Sequence, residues 1–391
     1  MYGQRAGVLR RSRSRLEFVY ASGLPIAEPL LSVALPVQER PLRSSAVHAF
    51  FNGLLPEGEA RRMLAYDFGQ LDPNDVLAML GALGRDCAGA LIILPEDETP
   101  NTVGLPEAIA ENDIAARLRR LHIEPLGADG RVRVSLAGMQ SKLLLARLDE
   151  GWGLPIDGAP STHILKPPTA LLDHSVTIEG FCLEVAAALD IPAARATVEI
   201  FDSIPALVIE RYDRIVGAEE VIRVHQEDLC QAHGIEPERK YEERGGPSLR
   251  QCAQVISDWC RPDDLWRLAE LTTLNVGLGN ADAHAKNISL LHEPDGAIHL
   301  APAYDLLTTL HDSRVSTSMG MFVAGQSDLT QVTRDDLIAE ITSWGLPTTE
   351  VRHRIDEIIQ RLPGAVETAA TQIRPPESVL AAIAEQHRRL R

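Results

Sequence analysis

Strand signals fill the first half of this chain and stop near Tyr212, and that change limits it to a fold with two unlike halves. Up to that point short apolar, β-branched and aromatic runs alternate with turn residues. Residues 7–20 read as two short strands around a basic turn, 91–94 as a short buried strand, and 131–148 as strand alternating with loop. Residues 162–166 form a strand that Pro167 and Pro168 close, because proline cannot donate to a sheet ladder. Residues 196–201 and 206–212 read as two strands joined at Asp202-Ser203. Helices are predicted at 57–68, through Leu83 after a cap at 72–75, and at 177–189. From Gln226 onward helical spacing dominates, at 226–232, 248–258, 263–278, 334–343, 349–361 and 376–389. The pattern predicts an α+β protein with two lobes, a mixed α/β N-terminal lobe and an all-α C-terminal lobe. A stretch at 95–106, rich in proline, acids and amides, divides the first lobe, giving units of 1–100, 101–212 and 213–391.

At 391 residues the chain is long enough for two or three domains or for one bilobed fold. Aromatic residues are only 4%, so the core must rest on Leu, Ile, Val and Ala. No apolar run approaches the roughly 20 residues of a membrane span. The basic N-terminus (Arg5, Arg10, Arg11, Arg13, Arg15) lacks the apolar run of an export signal, so a cytoplasmic location is expected. Five cysteines without CxxC spacing read as reduced thiols. A net charge of −17 opposes strong nucleic-acid binding over the whole surface, since phosphate contacts need a positive field. Positive charge is local, at 5–15, 117–120 and the tail Arg388, Arg389, Arg391, so any DNA contact should run mainly through a partner.

The chemistry concentrates in Gly279-Asn280-Ala281-Asp282-Ala283-His284-Ala285-Lys286-Asn287. Gly279 would end the preceding helix as a C-cap and leave 280–287 as a loop on a rigid base. Phosphoryl transfer needs a base beside the attacking hydroxyl and oxygen ligands for Mg²⁺. Asp282 is the candidate base, Asn287 a neutral oxygen ligand and Asp305 a charged one. Residues 288–291 and 298–300 read as a hairpin around Glu293-Pro294-Asp295-Gly296 that returns Asp305 beside Asn287. A capped loop with solvated side chains is the competing reading. A metal site on His284 lacks a second histidine at HxH or HxxxH spacing, so His284 reads as a hydrogen-bonding residue. Lys166, closing an apolar strand, could neutralise phosphate oxygens, with Glu179 as its ion-pair partner. Residues 135–142 make a small-residue turn whose backbone N–H groups could approach phosphates, although the GxxxxGK[ST] spacing is absent. A plain hairpin turn fits it too. Glu210-Arg211-Tyr212-Asp213-Arg214 stands where strands give way to helices, the place of a kinase hinge, or of simple charge pairing.

Assembled in order, these segments resemble the HipA family, serine/threonine kinases that act as toxins of bacterial type II toxin–antitoxin systems. The resemblance runs from Phe50-Phe51-Asn52-Gly53-Leu54-Leu55-Pro56-Glu57 through Ser135-Leu136-Ala137-Gly138-Met139-Gln140-Ser141-Lys142, 162–166 and 210–214. It continues with Gln226-Glu227-Asp228-Leu229-Cys230-Gln231, Lys240-Tyr241-Glu242 and Gly245-Gly246-Pro247, then 279–287 and Tyr304-Asp305. It implies a distantly protein-kinase-like fold with ATP and Mg²⁺ between the lobes. On that pattern Asp282 is the catalytic base, and Asn287 and Asp305 bind Mg²⁺. Lys166 meets the ATP phosphates and Ala137, Gly138, Met139, Gln140, Ser141 and Lys142 form the phosphate loop. Glu210, Arg211 and Tyr212 form the adenine hinge, and His284 and Lys286 count among the nucleotide contacts. Ser135 falls on the serine that family members autophosphorylate to switch themselves off. The implied partners are a dimeric helix-turn-helix antitoxin (HipB-like), operator DNA mainly through it, and a protein substrate such as an aminoacyl-tRNA synthetase, with glutamyl-tRNA synthetase the candidate. Persistence is the implied phenotype. Met139 and Ser141 depart from the residues common at their positions. A kinase-like binder acting mainly as co-repressor is the alternative, against which the intact Lys166, Asp282, Asn287 and Asp305 argue.

Overall fold

The computed structural model describes residues 1–13, 15–99, 104–125, 132–138, 140–169, 174–217 and 220–391. One antiparallel sheet organises the N-terminal lobe. Its strands are β1 (Glu107–Ile109), β2 (Leu143–Arg147), β3 (Trp152–Leu154), β4 (His163–Lys166), β5 (Ala196–Phe201) and β6 (Ile204–Glu210), in the order β1-β3-β2-β4-β6-β5. Leu143 to Ala146 are all buried, a continuous apolar run that fits a strand covered on both faces. Register sets up the chemistry. Leu143, the residue after Lys142, pairs with Leu165, the residue before Lys166. Strand pairing alone therefore brings these two lysines to one end of the sheet. Lys166 in turn pairs with Leu207 on β6.

Ahead of the sheet lie the hairpin Gly7–Ser12/Arg15–Tyr20 and helices Ser45–Gly53, Gly58–Asp67 and Val76–Leu83. Asp75 caps the last of these, accepting from the Ala78 N–H at 3.1 Å. Phe18, Phe50, Phe51, Leu80 and Leu83 share one core with Leu143, Leu165, Phe201 and Val208, so residues on either side of 95–106 pack together. Residues 91–94 are not a strand. The Ile93 N–H donates to Gly84 O at 2.7 Å, and the local strand is the earlier pair Asp86–Cys87, parallel to Val134–Ser135.

The second lobe is built around α2 (Pro262–Leu278) and α3 (Thr348–Gln372). Helix α1 (Ser175–Ala188) lies before residue 213 in sequence, yet Phe181, Cys182, Val185 and Ala186 pack into this second core. The C-terminal lobe is helix-rich rather than all-α. Strands β7 (His225–Asp228), β8 (Ser289–His292) and β9 (Ile298–Leu300) form a sheet in that order, and two further hairpins occur at 214–223 and 318–328. The helix expected over 226–232 is thus only Leu229–Ala232, because Gln226 pairs with Leu291 and Asp228 begins the helix with a capping box to Gln231. A run this short satisfies both helical and strand spacing. Among the described residues no helix is long and apolar enough to cross a membrane, and all five cysteines are free.

A buried charge network joins the N-terminal layer to the end of the main sheet. Arg214 meets Asp86 at 3.0 Å, Arg211 meets Asp213 at 2.7 Å, and Arg223 meets Asp86 at 3.2 Å. Cys87 O accepts from both Arg211 and Arg214. Charges so far from water persist only when paired, and removing one partner is expensive. Burial alone would raise the Asp213 carboxyl, but Arg211 and Arg214 outweigh it and hold it below the usual carboxylate range. We expect Asp213→Ala to cost about 3–5 kcal/mol at neutral pH. Because the folded carboxyl is the stronger acid, its contribution is complete above about pH 4 and declines as pH falls below that. Denaturant unfolding of both proteins checks this: the gap should narrow near pH 3, and a constant gap contradicts it.

Candidate active site

Lys166 is buried at the end of β4 and its ammonium has three carboxylate contacts. It donates to both oxygens of Glu179, at 2.8 and 3.0 Å, and to Asp305 Oδ1 at 2.8 Å. Burial works against its charge, but Asp305 and Glu179 outweigh that and hold the ammonium above its ordinary value. Glu179 stands on α1, so the lysine fastens the sheet to a helix of the other lobe's core. Asp305 adopts a left-handed backbone, φ 56°, a conformation aspartate tolerates better than most residues. Burial would raise its carboxyl, yet Lys166 wins and holds it at about 2.

The loop after α2 forms as its sequence suggests. Gly279 is left-handed (φ 73°), and its carbonyl accepts from the Thr309 N–H at 2.9 Å. Ala281 N–H donates to Thr309 Oγ1 at 2.9 Å, and Gly320 N–H donates to Ala281 O at 2.7 Å. A Cβ on Gly320 would lie 2.7 Å from Ala283 O, so only glycine lets that strand approach the loop. Asp282 N–H donates to Asn280 Oδ1, and Asn287 Nδ2 donates to Asp282 O, each at 3.2 Å. The β8–β9 hairpin then returns the chain. Tyr304 donates its hydroxyl hydrogen to Lys286 O at 2.6 Å and shares a second hydrogen bond with Ser289. Asp305 is thereby brought back to the loop that holds Asn287. Burial raises the Asp282 carboxyl above its ordinary value. The hydrogen bond from Tyr241 partly offsets this, and the charge of Asp305 adds to it.

These residues supply hard oxygen donors, the type Mg²⁺ takes. With its Nδ2 on Asp282 O, Asn287 turns an amide oxygen that has no hydrogen-bond partner among the described residues. Among the described residues no group of three or more His, Cys, Asp or Glu is placed to hold a metal ion. Mg²⁺ delivered with nucleotide phosphates needs only one or two carboxylates, so the donor set fits it and does not favour a hydrolytic metal centre on His284.

The remaining expected residues divide. Gly138 O accepts from the Glu57 N–H at 3.1 Å, and Lys142 Nζ donates to Ala137 O at 2.5 Å. Desolvation and the neighbouring charge of Lys166 lower the Lys142 ammonium to about 8. Gln140 Nε2 donates to Pro167 O at 3.1 Å, which ties the turn to the end of β4, and Ser141 is half-buried in the same turn. Met139 lies outside the described residues. Ser135 is fully buried, its hydroxyl donating to Leu54 O at 2.7 Å. Glu210 is exposed at the end of β6, and the Tyr212 ring lies 5.7 Å from that of Tyr304. The Arg211 side chain is locked in the Asp86 network, and its backbone N–H donates to Thr162 O. Lys286 donates to Asp228 Oδ2 at 2.7 Å, which anchors the loop. His284 is buried edge-on to Tyr241, with rings 5.1 Å apart. Burial and Lys240 hold its imidazole neutral, near 3, and its Nδ1 has no partner among the described residues.

Three residues enter the site without having been singled out from the sequence as site residues. Tyr241 donates its hydroxyl hydrogen to Asp282 Oδ1 at 2.8 Å. Lys240 pairs with Glu57 at 3.2 Å, and Glu57 Oε1 is buried without a partner among the described residues. Each contact joins segments far apart in sequence, and no local spacing rule reaches that distance. The one available signal was the placement of Glu57 and Lys240-Tyr241 in the ordered series of segments.

Comparison with known proteins identifies the family. Residues 134–366 match the HipA-like C-terminal domain and residues 1–94 the HipA N-terminal domain. The chain is 38% identical over 348 residues to a putative kinase, Y4mE, of Sinorhizobium fredii, covering 86% of this chain and 82% of that one. It is 28% identical to the serine/threonine-protein kinase toxin HipA of Shewanella oneidensis, covering 85% and 79%. Among solved structures it resembles HipA in the Shewanella oneidensis complex of HipA, HipB and operator DNA, with a TM-score of 0.85, 25% identity, and 98% and 94% coverage. The chain belongs to the HipA family of kinase toxins.

Proposed function

We propose that this kinase transfers the γ-phosphoryl group of ATP, with Mg²⁺, to a seryl or threonyl hydroxyl of a protein, using Asp282 as general base. The observation that carries this is that Asp305 pairs with Lys166 while its neighbour Tyr304 bonds Lys286 O in the loop that holds Asp282 and Asn287. Lys166 meets the nucleotide's phosphate oxygens, and backbone N–H groups of 137–142 line their other side. Asn287 and Asp305 hold the metal. Bound Mg²⁺ supplies neutralisation of the charge that builds on the phosphates. Asp282 takes the proton as the acceptor's O–H bond breaks, a new O–P bond forms, and the bond from the γ-phosphorus to ADP breaks. Burial raises its carboxyl, which makes it a better base than an exposed aspartate.

Self-modification at Ser135 turns the enzyme off on this reading. The hydroxyl is buried against Leu54 O, so a phosphate there must break that bond and expel the strand that leads into the phosphate loop. A dimeric helix-turn-helix antitoxin carries the operator contact, which suits a chain of net charge −17. The acceptor is a protein of translation in the cytoplasm, with glutamyl-tRNA synthetase the candidate.

Expression of the wild type without antitoxin should arrest growth, and Asp282→Asn or Asp305→Asn should relieve the arrest; equal toxicity of all three contradicts a catalytic cause. In purified protein Asp282→Asn should slow phosphoryl transfer by about 10²–10⁴-fold, while calorimetry still detects nucleotide binding. Ser135→Ala should lose self-modification with nucleotide binding retained, and a phosphate found elsewhere by peptide mapping rules out the switch at Ser135.

A further inference from the structure

The hydroxyl of Tyr241 stands where the reaction needs a different hydroxyl. It donates to Asp282 Oδ1 at 2.8 Å, the contact that the acceptor serine or threonine must make for its proton to be taken. Two hydroxyls cannot both occupy that oxygen in the same geometry. Burial and the charge of Asp282 raise the Tyr241 phenol, so it remains a hydrogen-bond donor.

The tyrosine is held from several sides. Its ring meets His284 edge-on, and Lys240 Nζ and Arg244 lie 5.7 and 5.5 Å from the ring centre. The neighbouring Lys240 is fastened to Glu57, whose own N–H donates to Gly138 O in the phosphate loop. Tyr241 itself is only half-buried, at the start of a short turn, Glu242–Arg244, that ends at left-handed Gly245. Such a side chain can rotate outward without disturbing a core. A catalytic base left bare beside a nucleotide would admit water and waste ATP, and a phenol on that oxygen excludes it.

We propose that Tyr241 is a placeholder for the acceptor hydroxyl: it covers Asp282 until a protein substrate docks and displaces it, which keeps transfer to water slow. It is a positioning residue, and its role rests on the assignment of Asp282 as base. The acceptor that displaces it is a seryl or threonyl hydroxyl on a segment able to enter between Tyr241 and the phosphate loop.

ATP hydrolysis without any protein substrate tests this, using the full chain in a Ser135→Ala background so that self-modification does not consume nucleotide. Adding Tyr241→Phe keeps the ring and its contact with His284 but removes the hydroxyl. Hydrolysis should rise about ten-fold or more, the scale of one hydrogen bond to a charged group, and Asp282→Asn should abolish the rise. Glu57→Gln, which loosens Lys240 without touching the phenol, should move hydrolysis in the same direction and serves if the tyrosine variant unfolds. No rise in either variant overturns the placeholder role, as does a phosphate found on Tyr241, which would make it an acceptor. Failure of the base assignment looks different: Asp282→Asn with Ser135 restored would then phosphorylate itself as fast as the wild type.

Discussion

One buried ammonium holds the two lobes in register. Lys166 ends a central strand, Glu179 sits on a helix whose other side packs into the second core, and Asp305 follows the hairpin after the catalytic loop. An unpaired ammonium in that place would cost several kcal/mol, so the lysine needs its carboxylates and they need it. Because the three groups come from three different elements, satisfying one charge fixes the sheet, the helix and the acidic turn relative to each other. The same contact gives Asp305 its low carboxyl value. Fold and chemistry therefore share a single electrostatic constraint.

A second line of contacts runs along residues 54–57. Leu54 O accepts from Ser135, Glu57 N–H donates to Gly138 O, and the Glu57 side chain reaches Lys240, beside Tyr241 on Asp282. Residues 54–57 thus contact both Ser135 and the segment that carries Tyr241. A displacement of residues 54–57 would therefore be felt at both ends of this line.

The parts of the site legible in the sequence are those set by local rules. Gly279 could be read as a cap because a left-handed residue must end that helix, and the 288–300 hairpin because two apolar runs flank a turn. Lys166 stood out because a cation closing an apolar strand needs a reason, and Glu179 lies near enough in sequence to supply it. What was not legible depends on distant polar partners. The charge of Arg211 is met by Asp86, 125 positions away. The charge of Lys286 is met by Asp228, 58 positions away. Residues 91–94 and 226–228 failed for another reason: runs of three or four residues carry too little periodicity to separate strand from helix or coil.

The central claim is that Lys166, Asp282, Asn287 and Asp305 form one phosphoryl-transfer centre. Its most direct test is the transfer of γ-labelled phosphate from ATP onto the protein with Mg²⁺ present and with Mg²⁺ chelated, for the wild type, Lys166→Met and Asp282→Ala, each shown to be folded. The account predicts label on the wild type only, and only with Mg²⁺. Label on Asp282→Ala at the wild-type rate would contradict it.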